Sequence, residues 1–396
     1  MSLGAWLTRG SRHESPVHSG IAHFVEHMLF KGTTTRTAEG IAQEIDSIGG
    51  HLDAFTAKEC ASYYVKVLDE HLPRAVDVLS DLLLNPAFAD EDICREQNVV
   101  VEEIKMVEDT PDDLVYEIFT TRFWPEHQLG KPILGTAESV RSFDAAALRT
   151  YFSDAYTAQN LVIAAAGNID HAAISELVGN AFSALPVSNQ SVETTAPTVN
   201  IQLEIREKDL EQAHLCLGTR GYEHTHPDRH ASYILNAVLG GSMSSRLFQK
   251  IREKRGLAYA VSSGLTSYRD VGSLTVYAGC DGGAVRQVID LVVDEIETLK
   301  QHSLADIELQ RAKDHLRGSF VLGQESTTSR MSQLARSEMY FGRQIDVAET
   351  LKAIDLVSQE DVQRVACDLF QKGALAGTVV GPLTRADVDA SQLDLS

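Results

Sequence analysis

The segment SGIAHFVEHMLFKG holds the residues whose types and spacing are best suited to chemistry: His23, Glu26 and His27. On a helix, side chains four apart share one face with their Cβ atoms roughly 5–6 Å apart. The two imidazoles are therefore spaced to hold one metal ion between them. Glu26 lies three residues from His23 on the same side, where it can take a proton from an attacking water instead of ligating. Two histidines with a carboxylate base point to zinc, which brings the pKa of water down to around 7. The expectation is one Zn2+ per chain, held by His23 and His27, with Glu26 as general base.

A catalytic zinc needs a third protein ligand and one open position. The acidic helical stretch ICREQNVVVEEIKMVED is the natural source of a carboxylate. Glu96 and Glu103 are seven residues apart, which leaves them only about 20° apart around a helix axis, whereas Glu102 points away from Glu103. Periodicity does not choose between Glu96 and Glu103.

The elements around these residues read as a mixture of helix and strand. A strand at 3–8 precedes a helix at about 20–30, and a second helix opens at Thr37 with Ile41, Ile45 and Ile48 at helical spacing and stops at Gly49 and Gly50. Two strand-like runs follow, LDAFTA and SYYVKVL, then helices at 72–84 and 90–107, a strand in LVIAAAG and a helix at 171–185. The polar, turn-rich stretch 186–200 reads as a linker. The second half repeats the plan: a strand at 201–205, helices at about 229–239 and 244–254, strands in AYAVSS and SLTVYAG, long helices, and a closing ALAGTVVGP that echoes LVIAAAGNI. The expected fold is α+β, with two related domains at 1–187 and 200–396.

Composition narrows the function. The 396 residues are 43% hydrophobic and 23% charged, with no apolar run near the roughly 18 residues of a membrane span. A formal charge of −21 disfavours nucleic acid as a partner, since nothing supplies a basic phosphate-binding stripe, while it attracts basic peptides. Five cysteines (Cys60, Cys94, Cys216, Cys280, Cys367), widely spaced and without a CxxC pair, fit free thiols in a reducing compartment. The opening MSLGAWLTRG has no secretory character, which makes a cytoplasmic location the default.

In HFVEHMLFKGT, GGHLDAFTAKECASYY, EQNVVVEEIKM and LGGSMSSRLFQKIREKRGLAY, spread over nearly the whole chain, the sequence resembles the pitrilysin-type inverted-zincin peptidases. The resemblance is to the branch of mitochondrial processing peptidase and its bacterial relatives. It implies Glu103 as the distal ligand, with Glu96 supporting the site from behind. It also implies two ferredoxin-like domains, a dimer enclosing a chamber, and cleavage of unfolded peptides or presequences. Two departures stand out. The family usually has asparagine where this chain has Asp53, and it usually begins with one more hairpin before GAWLTRG, so an early truncation is one expectation.

Substrate contacts are expected at three places. The strand around Ala54, Phe55 and Thr56 is suited to accept an extended peptide by β-addition. Asp113 and Glu117, four apart, present carboxylates to a cationic side chain, and the pair resembles the acidic pair that binds arginine in processing peptidases. Arg252 and Tyr259 in KIREKRGLAYAV are the right types to stabilise an oxyanion on a peptide carbonyl. In the resembled family this spacing marks a pair reaching the zinc site from a C-terminal domain, and a homodimer follows as the expected assembly. The competing expectation is a catalytically silent or partner-dependent subunit, as in respiratory-complex cores of the same architecture.

Overall fold

A computed structural model describes residues 1–188, 195–384 and 387–395. Residues 189–194 of the expected linker lie outside the described residues. The chain divides into two compact units, and the division is not a single cut. One unit comprises Met1–Met106, Lys131–Thr194 and Leu322–Gln344, and the other Val107–Gly130, Thr195–Val321 and Ile345–Ser396.

The first unit is built on β1 (Ser2–Leu7), β2 (His51–Thr56), β3 (Ala61–Lys66) and β4 (Leu161–Ala166), in the order β2-β3-β1-β4 with every neighbour antiparallel. All of SLGAWL is buried, because both faces of β1 are covered. Leu3, Ala5 and Leu7 join a core with the Ile21–Leu29 and Leu72–Leu84 helices, while Trp6 joins Met331 and Ala335 of the Thr327–Phe341 helix on the other face. Burial of this kind supplies most of the stability of such a layer, at about 25 cal/mol per Å² of apolar surface. The register leaves β2 at one end of the sheet, paired only with β3 among the described strands.

The second unit has β5 (Leu203–Glu207), β6 (Ala213–Gly221), β7 (Ala258–Ser267), β8 (Gly272–Cys280) and β9 (Ala376–Gly381), in the order β5-β9-β6-β8-β7. Only the β5–β9 pair is parallel. Without β5, the order β9-β6-β8-β7 repeats β4-β1-β3-β2, so the duplicated α+β plan expected from the sequence is present in the topology. One face packs on the Arg229–Leu239, Val285–Gln301 and Gln359–Leu369 helices, and the other on Leu114, Val115 and Phe119 of the Pro111–Phe123 helix.

Three local expectations shift. The strand expected at 201–205 forms as Leu203–Glu207, and the helix expected at 171–185 ends at Ala181. The helix expected at 244–254 becomes a π-helical segment, Phe248–Glu253. No helix among the described residues is long and apolar enough to cross a membrane.

Candidate metal centre and active site

The Ile21–Leu29 helix is held in rotation by its apolar residues: Ile21, Phe24, Val25, Met28 and Leu29 are all buried in the core of the first unit. Its start is fixed by two further devices. Gly20 adopts φ +93, and a Cβ there would come within 2.6 Å of the Leu134 carbonyl oxygen, so only glycine allows the two backbones to pass this closely. The backbone N–H groups of Gly20 and Ala22 donate at 2.8 Å to Oε2 and Oε1 of Glu14 respectively. These donors and the positive end of the helix favour the Glu14 anion. Burial opposes them and pushes the carboxyl up to about 8.

On this helix the imidazole rings of His23 and His27 lie 4.6 Å apart. Glu103 brings one oxygen, Oε2, to 3.7 Å from His23 Nε2 and 3.6 Å from His27 Nε2. The candidate ligand atoms of the three residues all lie within 4.8 Å of one another. Two ligands at 2.0–2.2 Å from a tetrahedral ion are themselves roughly 3.3–3.6 Å apart, close to the two separations that Glu103 makes with the histidines. Glu103 Oε2 is buried without a hydrogen-bond partner, which is costly for a carboxylate oxygen unless a cation completes it. Burial, reinforced by His27, brings His23 down to about 3 and keeps the ring neutral, as a ligand must be. Two nitrogens and one oxygen match the three protein donors of a catalytic zinc site, in which water takes the fourth position.

The three candidate carboxylates of the Asp90–Asp109 helix, Glu96, Glu102 and Glu103, have different surroundings. Glu96 is buried, with Oε2 3.0 Å from His27 Nδ1 and Oε1 2.6 Å from Lys31 Nζ. Glu103 meets the Nε2 atoms, and Glu102 is exposed and pairs with Lys105 at 2.7 Å. Glu26 is half-buried, and the hydroxyl of Thr56 donates to its Oε2. Burial raises the Glu26 pKa, and the Thr56 hydrogen bond works against that rise. The strand expected to hold substrate thus ends on the residue that touches the expected base. Ala54 and Phe55, also on β2, are half-buried, and Asp53 accepts the Tyr64 hydroxyl at 2.8 Å.

Asp113 and Glu117 lie on the Pro111–Phe123 helix in the second unit, the first exposed and the second half-buried. Arg252 and Tyr259 pack together there: the guanidinium sits 4.7 Å from the Tyr259 ring and 4.7 Å from the Phe248 ring. Tyr259 remains 77% exposed. Sequence reasoning passed over Glu14 and Lys31. The available signals were an acidic residue just before the helix and a lysine four positions after His27.

Two sheets of one topology, with an H-x-x-E-H helix and a glutamate of a second helix brought to it, define a duplicated α+β protein with a candidate metal centre. The chain belongs to peptidase family M16: residues 1–137 match the model described as Insulinase (Peptidase family M16), and residues 142–316 match the Peptidase M16 inactive domain. It is 42% identical over 370 residues to an uncharacterized zinc protease of Bacillus subtilis, covering 93% of this chain and 90% of that protein. It is 40% identical over 401 residues to one of Streptomyces coelicolor, covering 99% of this chain and 86% of that protein. A crystal structure of a protease from Helicobacter pylori shares the fold at a TM-score of 0.88, with 20% identity and coverage of 96% and 94% of the two chains. A peptidase M16 inactive domain from Pseudomonas fluorescens does so at 0.90, with 23% identity and coverage of 97% and 93%.

Proposed function

We propose that this protein is a zinc-dependent endopeptidase acting on unfolded peptides or presequences, with His23, His27 and Glu103 as ligands of one ion and Glu26 as general base. The observation that carries the reading is the approach of Glu103 Oε2 to the Nε2 atoms of both histidines, with Glu26 on the same helix held by Thr56. When bound, zinc makes water nucleophilic near neutral pH and polarises the scissile carbonyl. Glu26 takes the proton of the attacking water and returns it to the leaving amine, and its raised pKa suits both halves of that task. Glu96 fixes the ring of His27 through Nδ1.

The outer edge of β2 at Ala54, Phe55 and Thr56 binds the peptide backbone, and Asp113 and Glu117 favour a basic side chain near the cut. Arg252 and Tyr259 stabilise the oxyanion and come from the other protomer of a homodimer. An acidic protein working on basic peptides in the cytoplasm completes the picture, with neither nucleic acid nor membrane as partner. A silent subunit is disfavoured because His23, His27 and Glu103 bring candidate ligand atoms together and Glu26 lies on the same helix as the two histidines.

The test is zinc content together with cleavage of a quenched peptide library. The reading requires about one zinc per chain, cleavage abolished by a chelator and restored by Zn2+, and a preference for Arg or Lys that weakens with salt. A protein that binds no zinc, or cleaves equally well after chelation, would overturn it.

A further inference from the structure

Lys31 stands outside every residue set described for the site, yet its ammonium meets the carboxylate that supports a candidate ligand. Glu96 presents one oxygen to each of two partners, Oε2 to His27 Nδ1 at 3.0 Å and Oε1 to Lys31 Nζ at 2.6 Å. Those partners are four apart in sequence, the spacing that puts two side chains on one side of a helical turn. The backbone keeps that turn going past the helix end, since the Lys31 N–H donates to the Met28 carbonyl at 3.1 Å. The Glu96 side chain is only 5% exposed and the Lys31 side chain 35%. The carboxylate therefore has little water to orient it and takes its orientation from the two groups that clamp it.

We propose that Lys31 is a positioning residue of the metal site, holding Glu96 so that His27 keeps its proton on Nδ1 and turns Nε2 toward the ion. The chain of contacts runs Lys31 to Glu96 to His27 and ends on the nitrogen that faces Glu103 at 3.6 Å. A histidine ligand whose far nitrogen donates to a fixed carboxylate binds metal in one tautomer and one ring orientation, and loss of such support typically costs 10–100-fold in metal affinity. Without the Lys31 ammonium, the Glu96 carboxylate is free to rotate away from Nδ1. Arginine preserves the charge and the donors, whereas methionine preserves only the length. The inference rests on the zinc ligation proposed above.

The test is zinc affinity of the whole chain, measured by competition with a chromophoric chelator for the wild type, Lys31→Met and Lys31→Arg. Melting of each metal-free protein reports on folding, and 15N chemical shifts of His27 report its tautomer. The expected result is a 10–100-fold weaker zinc site in Lys31→Met with mixed His27 tautomers, a metal-free fold that still melts cooperatively but at a lower temperature because one buried Glu96 oxygen loses its partner, and recovery of the affinity to within a few-fold in Lys31→Arg. Wild-type affinity in Lys31→Met overturns the role of Lys31 while leaving the zinc site standing. Equal weakening in both variants with a matching loss of metal-free stability also overturns it, since Lys31 would then act only in folding. Absence of zinc binding by the wild type would instead bring down the parent reading.

Discussion

At the scale of single residues, His23, Glu26 and His27 were legible because their relation is local: a spacing of four on a helix needs no knowledge of the rest of the chain. Glu96 and Glu103 were not separable by periodicity, because seven residues return to nearly the same helix face. Their surroundings do separate them. Glu103 faces the Nε2 atoms of both histidines, while both oxygens of Glu96 are occupied by His27 Nδ1 and Lys31. Glu103→Gln should therefore weaken zinc binding by about 100-fold or more, and Glu102→Gln, at an exposed residue paired with Lys105, by less than about threefold. Titration of each variant with Zn2+ against a chelator measures this, and equal losses would mean that the helix register is wrong. The Thr56 contact with Glu26 and the Lys31 contact with Glu96 were invisible in the sequence because each joins residues on different elements, brought together only by packing.

At the scale of elements, helices with one apolar stripe were readable. The Leu72–Leu84 helix forms with the bounds its pattern indicates, and Thr37 caps the next helix after the zinc motif by accepting the Gly40 N–H at 3.0 Å. β6 was passed over. It is central in its sheet and buried on both faces, so Ala213, Leu215, Cys216 and Leu217 show no alternation that would mark a half-exposed strand. The start of the zinc-motif helix carries its own prediction. The Glu14 carboxyl, raised to about 8 in the folded chain from an ordinary 4.5, binds an extra proton on folding across that window. Its contribution to stability is present below the unfolded value and is lost as pH rises through about 8, at about 1.4 kcal/mol per pH unit of separation. Glu14→Gln carries no titrating proton there. The metal-free wild type should therefore lose melting temperature relative to Glu14→Gln between pH 5 and pH 8.5. Parallel profiles would show that the two backbone donors, and not burial, set the state of Glu14.

At the scale of the whole molecule, the echo of LVIAAAG in ALAGTVV pointed to a duplication, and these segments become β4 and β9 at matching places in two sheets of one topology. The composition of the compact units was not legible. Residues 107–130 of the first half belong to the second unit and 322–344 of the second half to the first, and nothing local in either segment says which sheet it will cover. The proposed sharing of catalysis between protomers predicts complementation. Glu26→Gln and Tyr259→Phe proteins, each impaired alone, should regain part of the wild-type rate after subunit exchange, up to about a quarter of sites being intact for equal mixing. No recovery despite demonstrated heterodimers would place both groups within one chain. The central claim, that this chain hydrolyses peptides at a zinc ion with Glu26 as its base, is tested most directly by comparing cleavage of one quenched peptide by zinc-loaded wild type and zinc-loaded Glu26→Gln. The account predicts equal zinc content and a rate lower by about 10²–10⁴ in the variant. Equal rates at equal zinc content would contradict it.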